Sequence, residues 1–311
     1  MFRALIINST ILLIILITSL NAFGASGDGG DAGAFLKNGI GVRPISIGKA
    51  FVAVADDANA GYWNPAGLAK LAHPQMSFMY SNPMNYDLIG DGGGGVKNIG
   101  YHTLSAAIPS PYGSLGLNVA YLNVGDILVV KDATGPTGEK FDDKELGVIA
   151  SYANSITEQI RLGLNLKIVR QTIWNEKGSG IGLDIGALYE PMLNLMIGVM
   201  AQNLISPKIT LLENSNSIPR KVAFGLSYKI MDEKILLATA IDKAGGRSAK
   251  FHIGTEVHPV KDLAIRAGYT TDTGEISAGI GVRISIIQLD YGFGLLSIGS
   301  THRVSLTMTL Y

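Results

Sequence analysis

The sequence predicts an all-β protein, a transmembrane antiparallel β-barrel of about fourteen strands, and three observations carry that prediction. Segments of about ten residues alternate apolar and polar side chains along most of the chain, the period of a strand with one greasy face. Terse connections alternate with longer ones between those segments, as a barrel with short turns on one side and loops on the other requires. The 311 residues are 47% hydrophobic and only 16% charged, against roughly a quarter charged in soluble domains. Beyond Leu20 no run approaches the ~20 apolar residues of a spanning helix. Apolarity without such a helix is reconciled when every second side chain faces lipid.

The N-terminus reads as an export signal. Arg3 precedes an apolar stretch from Ala4 to Leu20, and Ala22-Phe23-Gly24 offers small residues for cleavage after Gly24. An uncleaved anchor helix is the rival reading; the glycine and aspartate residues from Ser26 to Asp31 favour cleavage. Residues 1–24 are therefore expected to direct the chain to the bacterial outer membrane. Residues 26–74 are rich in Gly, Ala and Asp without a sustained period of two, and Asn64-Pro65-Ala66-Gly67 is a turn signal.

Strands are expected at 75–80, 99–108, 113–124, 144–154, 159–171, 179–190, 193–203, 219–230, 233–242, 249–258, 261–270, 274–283, 285–293 and 301–310. In the fifth, Ile160, Leu162, Leu164, Leu166 and Ile168 share one face while Arg161, Gly163, Asn165 and Lys167 share the other. In the tenth, Phe251, Ile253, Thr255 and Val257 oppose Lys250, His252, Gly254, Glu256 and His258. Charged side chains at successive inward positions are costly in a dry core but suit a polar lumen. A soluble two-sheet sandwich shares the periodicity and accounts less well for the signal, the strand count and the strand length.

The connections after even-numbered strands are short: Pro109–Tyr112, Ser155–Glu158, Pro191–Met192, Met231–Asp232, Pro259–Val260 and Ile284 alone. Those at 81–98, 125–143 and 204–218 are long. Within 125–143, Ile127-Leu128-Val129-Val130 reads as the outer part of a strand in preference to an exposed greasy patch. Tyr121, Tyr152, Tyr189, Tyr228, Tyr269, Tyr291 and Phe293 fall near segment ends on the apolar face, as an interfacial girdle would.

Little in the chain points to catalysis, and no enzyme activity, cofactor or metal is assigned. The sequence lacks cysteine, and 25 basic residues balance 25 acidic ones, which excludes thiol chemistry and argues against nucleic acid as a partner. Gly92–Gly95 lacks the Lys-Ser/Thr of a phosphate cradle and reads as an outer loop; Gly27–Gly33 fails the same test. His252, Glu256 and His258 share a strand face, but alternate strand positions lie nearly 7 Å apart, so a hydrogen-bonded lumenal network with Lys250 is favoured over a metal site. No Gly-x-Ser-x-Gly elbow accompanies the scattered histidines.

Three stretches carry a family resemblance: Phe35-Leu36-Lys37-Asn38-Gly39-Ile40-Gly41-Val42-Arg43, Gly48-Lys49-Ala50-Phe51-Val52-Ala53-Val54-Ala55-Asp56-Asp57, and Tyr62-Trp63-Asn64-Pro65-Ala66-Gly67-Leu68-Ala69. They resemble the start of the PorV/PorQ family, which is similar to the FadL-type outer-membrane transporters of hydrophobic compounds. The resemblance implies that residues 25–74 fold back as a plug inside a barrel formed by 75–311. It implies that Asn64, Pro65 and Gly67 shape the plug beside Trp63, and that Asp56 and Asp57 tie it to the wall. Two departures stand out. Lys49 occupies a position that is usually small, and Tyr311 ends the chain in place of Phe, out of phase with Val304, Leu306, Met308 and Leu310.

For function, the resemblance implies uptake of hydrophobic small molecules past a rearranging plug, with lateral escape through a wall defect. A non-transporting scaffold for protein secretion or surface attachment, like the type IX accessory members, is the alternative. Expected partners are outer-membrane lipid, a hydrophobic ligand, secreted or secretion-system proteins, and the barrel-assembly machinery.

Overall fold

The structure, a computed structural model, describes residues 32–82, 98–132, 135–297 and 299–311. The expected signal over 1–24, the Gly92–Gly95 run and most of Gly27–Gly33 lie outside the described residues. Among the described residues sixteen strands follow one another: β1 (Gln75–Asn82), β2 (Asn98–Ile108), β3 (Ser114–Asp132), β4 (Gly135–Ser155), β5 (Ile160–Ile173), β6 (Glu176–Met192), β7 (Leu195–Ile205), β8 (Lys208–Leu211), β9 (Asn214–Ser217), β10 (Lys221–Ile230), β11 (Ile235–Ala244), β12 (Lys250–Val260), β13 (Leu263–Thr270), β14 (Glu275–Ile284), β15 (Ile287–Leu296) and β16 (Gly299–Thr309). Fourteen of them, all but β8 and β9, form one closed barrel in which β16 returns to pair with β1. That pairing is antiparallel, with Gln75 opposite Thr309 and Tyr80 opposite Val304.

Each of the fourteen expected segments coincides with a barrel strand, and the differences lie at their ends. The run Ile127–Val130 is strand: β3 and β4 continue outward past a register shift beyond Val124, so 125–143 is largely a hairpin and not an open loop. The 204–218 connection contains the β8–β9 hairpin. The turn expected at Ile284 alone is Ser285–Ile286, because Ser285 takes a left-handed φ of 57° and reverses the chain tightly.

Alternation sorts the side chains as the pleat demands. Leu162, Leu164, Leu166 and Ile168 are 44%, 46%, 51% and 48% exposed on the outside, while Asn165 and Lys167 between them are 0% and 4% exposed within. The same outward apolar series runs around the ring through Phe78, Leu117, Ile185, Leu237, Ile265 and Leu306. A continuous apolar exterior over a polar interior is the inverse of a water-soluble sandwich, and hydrocarbon is the medium that satisfies it. Among the described residues no helix is long and apolar enough to cross a membrane.

Residues 32–71 lie inside the ring. Two 3-10 turns (Ala34–Asn38 and Pro65–Lys70) and two short helices, α1 (Val42–Ser46) and α2 (Ala60–Trp63), are joined by irregular backbone. The main hydrophobic core is therefore lumenal: Ile40, Val42, Ile45, Ile47, Phe51 and Leu68 are at most 1% exposed.

Irregular backbone in an enclosed space needs room and hydrogen-bond partners, and the wall provides both. Room comes from four pairs of glycines facing each other across neighbouring strands: Gly163 with Gly186, Gly198 with Gly225, Gly254 with Gly268, and Gly279 with Gly292. None has a positive φ, so it is the missing Cβ that matters. A Cβ at Gly279 or Gly292 would strike Ser46, one at Gly254 or Gly268 the Ile47–Gly48 backbone, one at Gly198 the Val52–Ala53 backbone, and one at Gly163 or Gly186 Asn64–Ala66; at Gly225 it would come into tight contact with Val52 and Ala53 at 3.1–3.3 Å.

Hydrogen bonds come from inward polar side chains that donate to the segment's free carbonyls. Asn118 donates to Ala58 O (3.0 Å), Asn165 to Gly61 O (2.8 Å), Gln202 to Tyr62 O (3.2 Å), Ser227 to Ala53 O (3.2 Å) and Ser277 to Ser46 O (3.3 Å).

Candidate functional site

The residues singled out in the inner segment form its internal frame. Trp63 donates its indole N–H to Ile40 O at 2.9 Å, and Tyr62 its hydroxyl to Leu36 O. Asn64 is fully buried. Its Nδ2 donates to Val52 O (2.9 Å) and to Ala187 O of β6 (3.0 Å), and its Oδ1 accepts from Ala66 N (3.2 Å) as the N-cap of the turn that Pro65 opens. One amide thus joins two parts of the segment to the wall. A Cβ at Gly67 would fall on the Ala55 carbonyl, so glycine there allows the 65–70 turn to rest on residue 55. Asn64→Ala leaves two buried carbonyls short of a donor and should cost about 1–3 kcal/mol. Asn64→Asp sets a carboxylate against those oxygens and should cost more. The midpoint of denaturant unfolding of the detergent-folded barrel checks the order.

Asp56 and Asp57 reach the wall by way of Arg43. The Arg43 Nη1 lies 2.5 Å from Asp56 Oδ1 and 3.3 Å from Asp57 Oδ2, while its Nε and Nη2 grip Glu256 of β12 at 2.8 and 3.0 Å. Glu256 also meets Arg266 Nε at 2.5 Å, and Arg266 Nη1 meets Asp290 at 2.7 Å. The guanidinium of Arg43 stands over the Phe51 ring, 5.3 Å from its centroid. The network therefore runs from α1 across three strands. Of its wall members, the sequence singles out Glu256 only beside the two histidines and does not point to Arg266 or Asp290, because only register brings the three together, although all occupy the inward phase.

His252, Glu256 and His258 do not converge. His252 sets one ring nitrogen against Gly48 O (3.1 Å) and the other against Asp242 (2.6 Å), whereas His258 meets Glu256 at 3.3 Å. Among the described residues no cluster of three or more metal-ligating side chains occurs. His252 and His258 each pair with a different carboxylate, Asp242 and Glu256, and Lys250, expected in the same network, is not a partner of either. Lys49 takes a left-handed backbone (φ 66°), and its buried ammonium donates to Lys37 O at 3.0 Å.

Above the inner segment, toward the ends of the strands that carry the long hairpins, lies a cavity of about 380 Å³, a size suited to a small molecule. Val52, Met200, Ala223 and Ala240 form a buried apolar cluster at its floor with Trp63 beside them. Ile218 and Pro219, which follow β9, contribute to its cover. On the side of β6 and β7 it borders a bulge. Leu183 pairs with Ile205 and Ile185 with Ala201, so Gln202–Leu204 oppose Asp184 alone. Asp184 holds the bulge by accepting from Asn203 N at 2.7 Å and pairs with Lys167 at 2.7 Å.

A closed fourteen-stranded barrel with a lipid-facing apolar belt and a lumen filled by its own N-terminal segment is a membrane β-barrel of the occluded class. No family model matches the chain, and no curated protein matches it. Among solved structures it is similar to the CymD monoaromatic hydrocarbon channel (TM-score 0.64, 12% identity, 90% of this chain and 99% of that one). It is also similar to the Pseudomonas putida toluene transporter TodX (0.61, 12%, 87% and 97%) and to a Pseudomonas aeruginosa FadL homologue (0.57, 13%, 85% and 97%). At such identities the likeness is one of fold, and it extends over nearly the whole of each chain.

Proposed function

We propose that the protein is an outer-membrane channel for the uptake of hydrophobic small molecules. The observation that carries this reading is the apolar-floored cavity above a segment seated on glycines, with a wall bulge at its side. The named activities of the structural neighbours, channels for monoaromatic hydrocarbons and toluene, support the same class of cargo. A porin for polar solutes would need an open aqueous lumen; here the inner segment fills the lumen with a buried apolar core.

Passage then requires the inner segment to shift, and the β6–β7 bulge is where the cavity comes nearest to a lateral exit. The PorV/PorQ-like assignment is part of this reading. Its scaffold alternative would use the protruding β3–β4 hairpin, and the cavity favours transport.

The chain has no cysteine, so an engineered disulfide is unambiguous. A Cβ at Gly225 would stand 3.3 Å from the Cβ of Ala53, close to the roughly 3.5–4.5 Å that a disulfide spans. In proteoliposomes, the Gly225→Cys/Ala53→Cys double variant should admit a neutral aromatic ester when reduced and exclude it when oxidised. Equal flux in both states would remove segment movement from the mechanism, and no barrel-dependent flux at all would remove transport.

A further inference from the structure

The charges around the cavity do not suit a hydrocarbon. Six lining residues are cations (Lys37, Lys49, Lys167, Lys221, Arg247 and Lys250), and two are carboxylates, Asp242 and Asp272. Asp242 is already engaged by His252 at 2.6 Å, and Lys167 is paired with Asp184. Lys221 and Lys250 make no ion pair among the described residues. Lys49 has a carbonyl, not a carboxylate, as its partner.

Position matters as much as number. Lys221 begins β10 and Lys250 begins β12. The next inward residues down those strands are Ala223 then Gly225, and His252 then Gly254. The lining therefore grades from cationic at the rim to apolar and aromatic at the floor.

From this gradient we infer that the cavity takes a compact aromatic carboxylate, its ring on the Trp63 and Met200 side and its charge held among Lys49, Lys221 and Lys250. A buried or half-buried cation without a counter-ion is costly, and a ligand carboxylate removes that cost through charge-assisted hydrogen bonds. A neutral hydrocarbon would leave Lys49 and Lys221 only the longer-range pull of Glu275, Asp272 and Asp242, with no carboxylate in direct contact. A compact body fits better than a long chain, because the inner segment closes the floor. The inference deepens the transport reading and rests on it for physiological meaning, but its binding test stands alone.

The sequence contains two tryptophans. Trp174 is 49% exposed at the far end of the β5–β6 hairpin, stacked on Phe141, so Trp174→Phe leaves Trp63 as the sole indole reporter. With that full-length variant in detergent, 2-naphthoate should quench Trp63 saturably. Methyl 2-naphthoate, the uncharged isostere, should bind on the order of tenfold or more weakly. Adding Lys221→Met and Lys250→Met should weaken naphthoate by a similar factor and leave the ester unchanged. Naphthoate affinity should also fall with added salt, as a charge contact open to solvent does.

An ester that binds as well as the acid, naphthoate affinity insensitive to the two lysines, or no saturable binding of either overturns the proposal. Dodecanoate binding as tightly as naphthoate overturns its aromatic part. Flux separates this from the parent reading. Ester that crosses without any preference for the acid sinks the anion site and keeps transport, whereas naphthoate that binds while nothing crosses does the reverse.

Discussion

Gly268→Leu is expected to convert an occluded barrel into an open one while the wall still folds. A Cβ at residue 268 would overlap the Gly48 nitrogen and the Ile47 carbonyl carbon, and both are backbone atoms that no rotamer change can move aside. Overpacking of a core by added methylenes costs about 1–3 kcal/mol when side chains can adjust. Here the cheaper response is for residues 46–48 to leave their seat. The wall loses nothing comparable, since Gly268 has ordinary extended backbone in β13 and a leucine there would face the vacated lumen.

Planar-bilayer conductance should rise severalfold over the parent, and trypsin should gain access to Arg43, Lys49 and Lys70. Heat-modifiable migration of the folded barrel should persist. Ala267→Leu is the internal control, because Ala267 points outward on the same strand and should change neither readout. Wild-type conductance and protection in Gly268→Leu would mean that the glycine pairs do not seat the segment.

These seats mark the boundary between what is legible in the sequence and what only the fold brings together. Strand number and the facing of Leu162 against Lys167 follow from a period of two, which is local and survives in a single sequence. The hairpin at 127–142 was half legible, since Ile127–Val130 has strand character but the register shift beyond Val124 depends on its partner strand. The glycine pairs were not legible as pairs. Gly163 and Gly186 both fall in the inward phase, yet nothing in the sequence sets one opposite the other, because register is a relation between strands.

Within the inner segment, the Asn64-Pro65-Ala66-Gly67 signal gave a turn, and the turn is there. What it could not give was Ala187 as the partner of Asn64, 123 residues away. Arg43 carries no signal of its own in the sequence. Its importance comes from Glu256, Asp56 and Asp57 meeting at one guanidinium, a convergence that chain spacing does not encode.

The second large effect concerns that guanidinium. Arg43→Met should free the inner segment at neutral pH and let acid restore it. In the parent, burial alone would raise the Asp56 carboxyl, but Arg43 and Lys70 beside it hold it below the usual carboxylate range. A carboxylate depressed on folding adds stability above its unfolded pKa, and that stability is lost as pH falls through the folded value. Asp57 runs the other way: burial, with Asp56 adjacent, raises it despite Arg43. Acid therefore weakens the parent's latch only to the extent that Asp56 outweighs Asp57.

Without Arg43, Asp57 loses its opposing cation, Asp56 keeps only Lys70, and Glu256 loses one of its partners, so the two buried aspartates are left facing one another. Removing one partner from a buried ion pair costs about 3–5 kcal/mol. Asp57, already raised by burial, would then stand further above its unfolded pKa, and Asp56 would rise with it. Such groups bind more protons when seated than when released, so stability falls as pH rises through that window. Trypsin cleavage at Lys49 and Lys70 in the folded Arg43→Met barrel should therefore be fast at pH 8 and slow at pH 5. Asp56→Asn added to Arg43→Met should recover part of the protection at pH 8 by deleting one of the stranded charges. Cleavage of Arg43→Met that is slow and independent of pH would show that the glycine seats and the Asn64 amide hold the segment alone, and that the Arg43 network is not its latch.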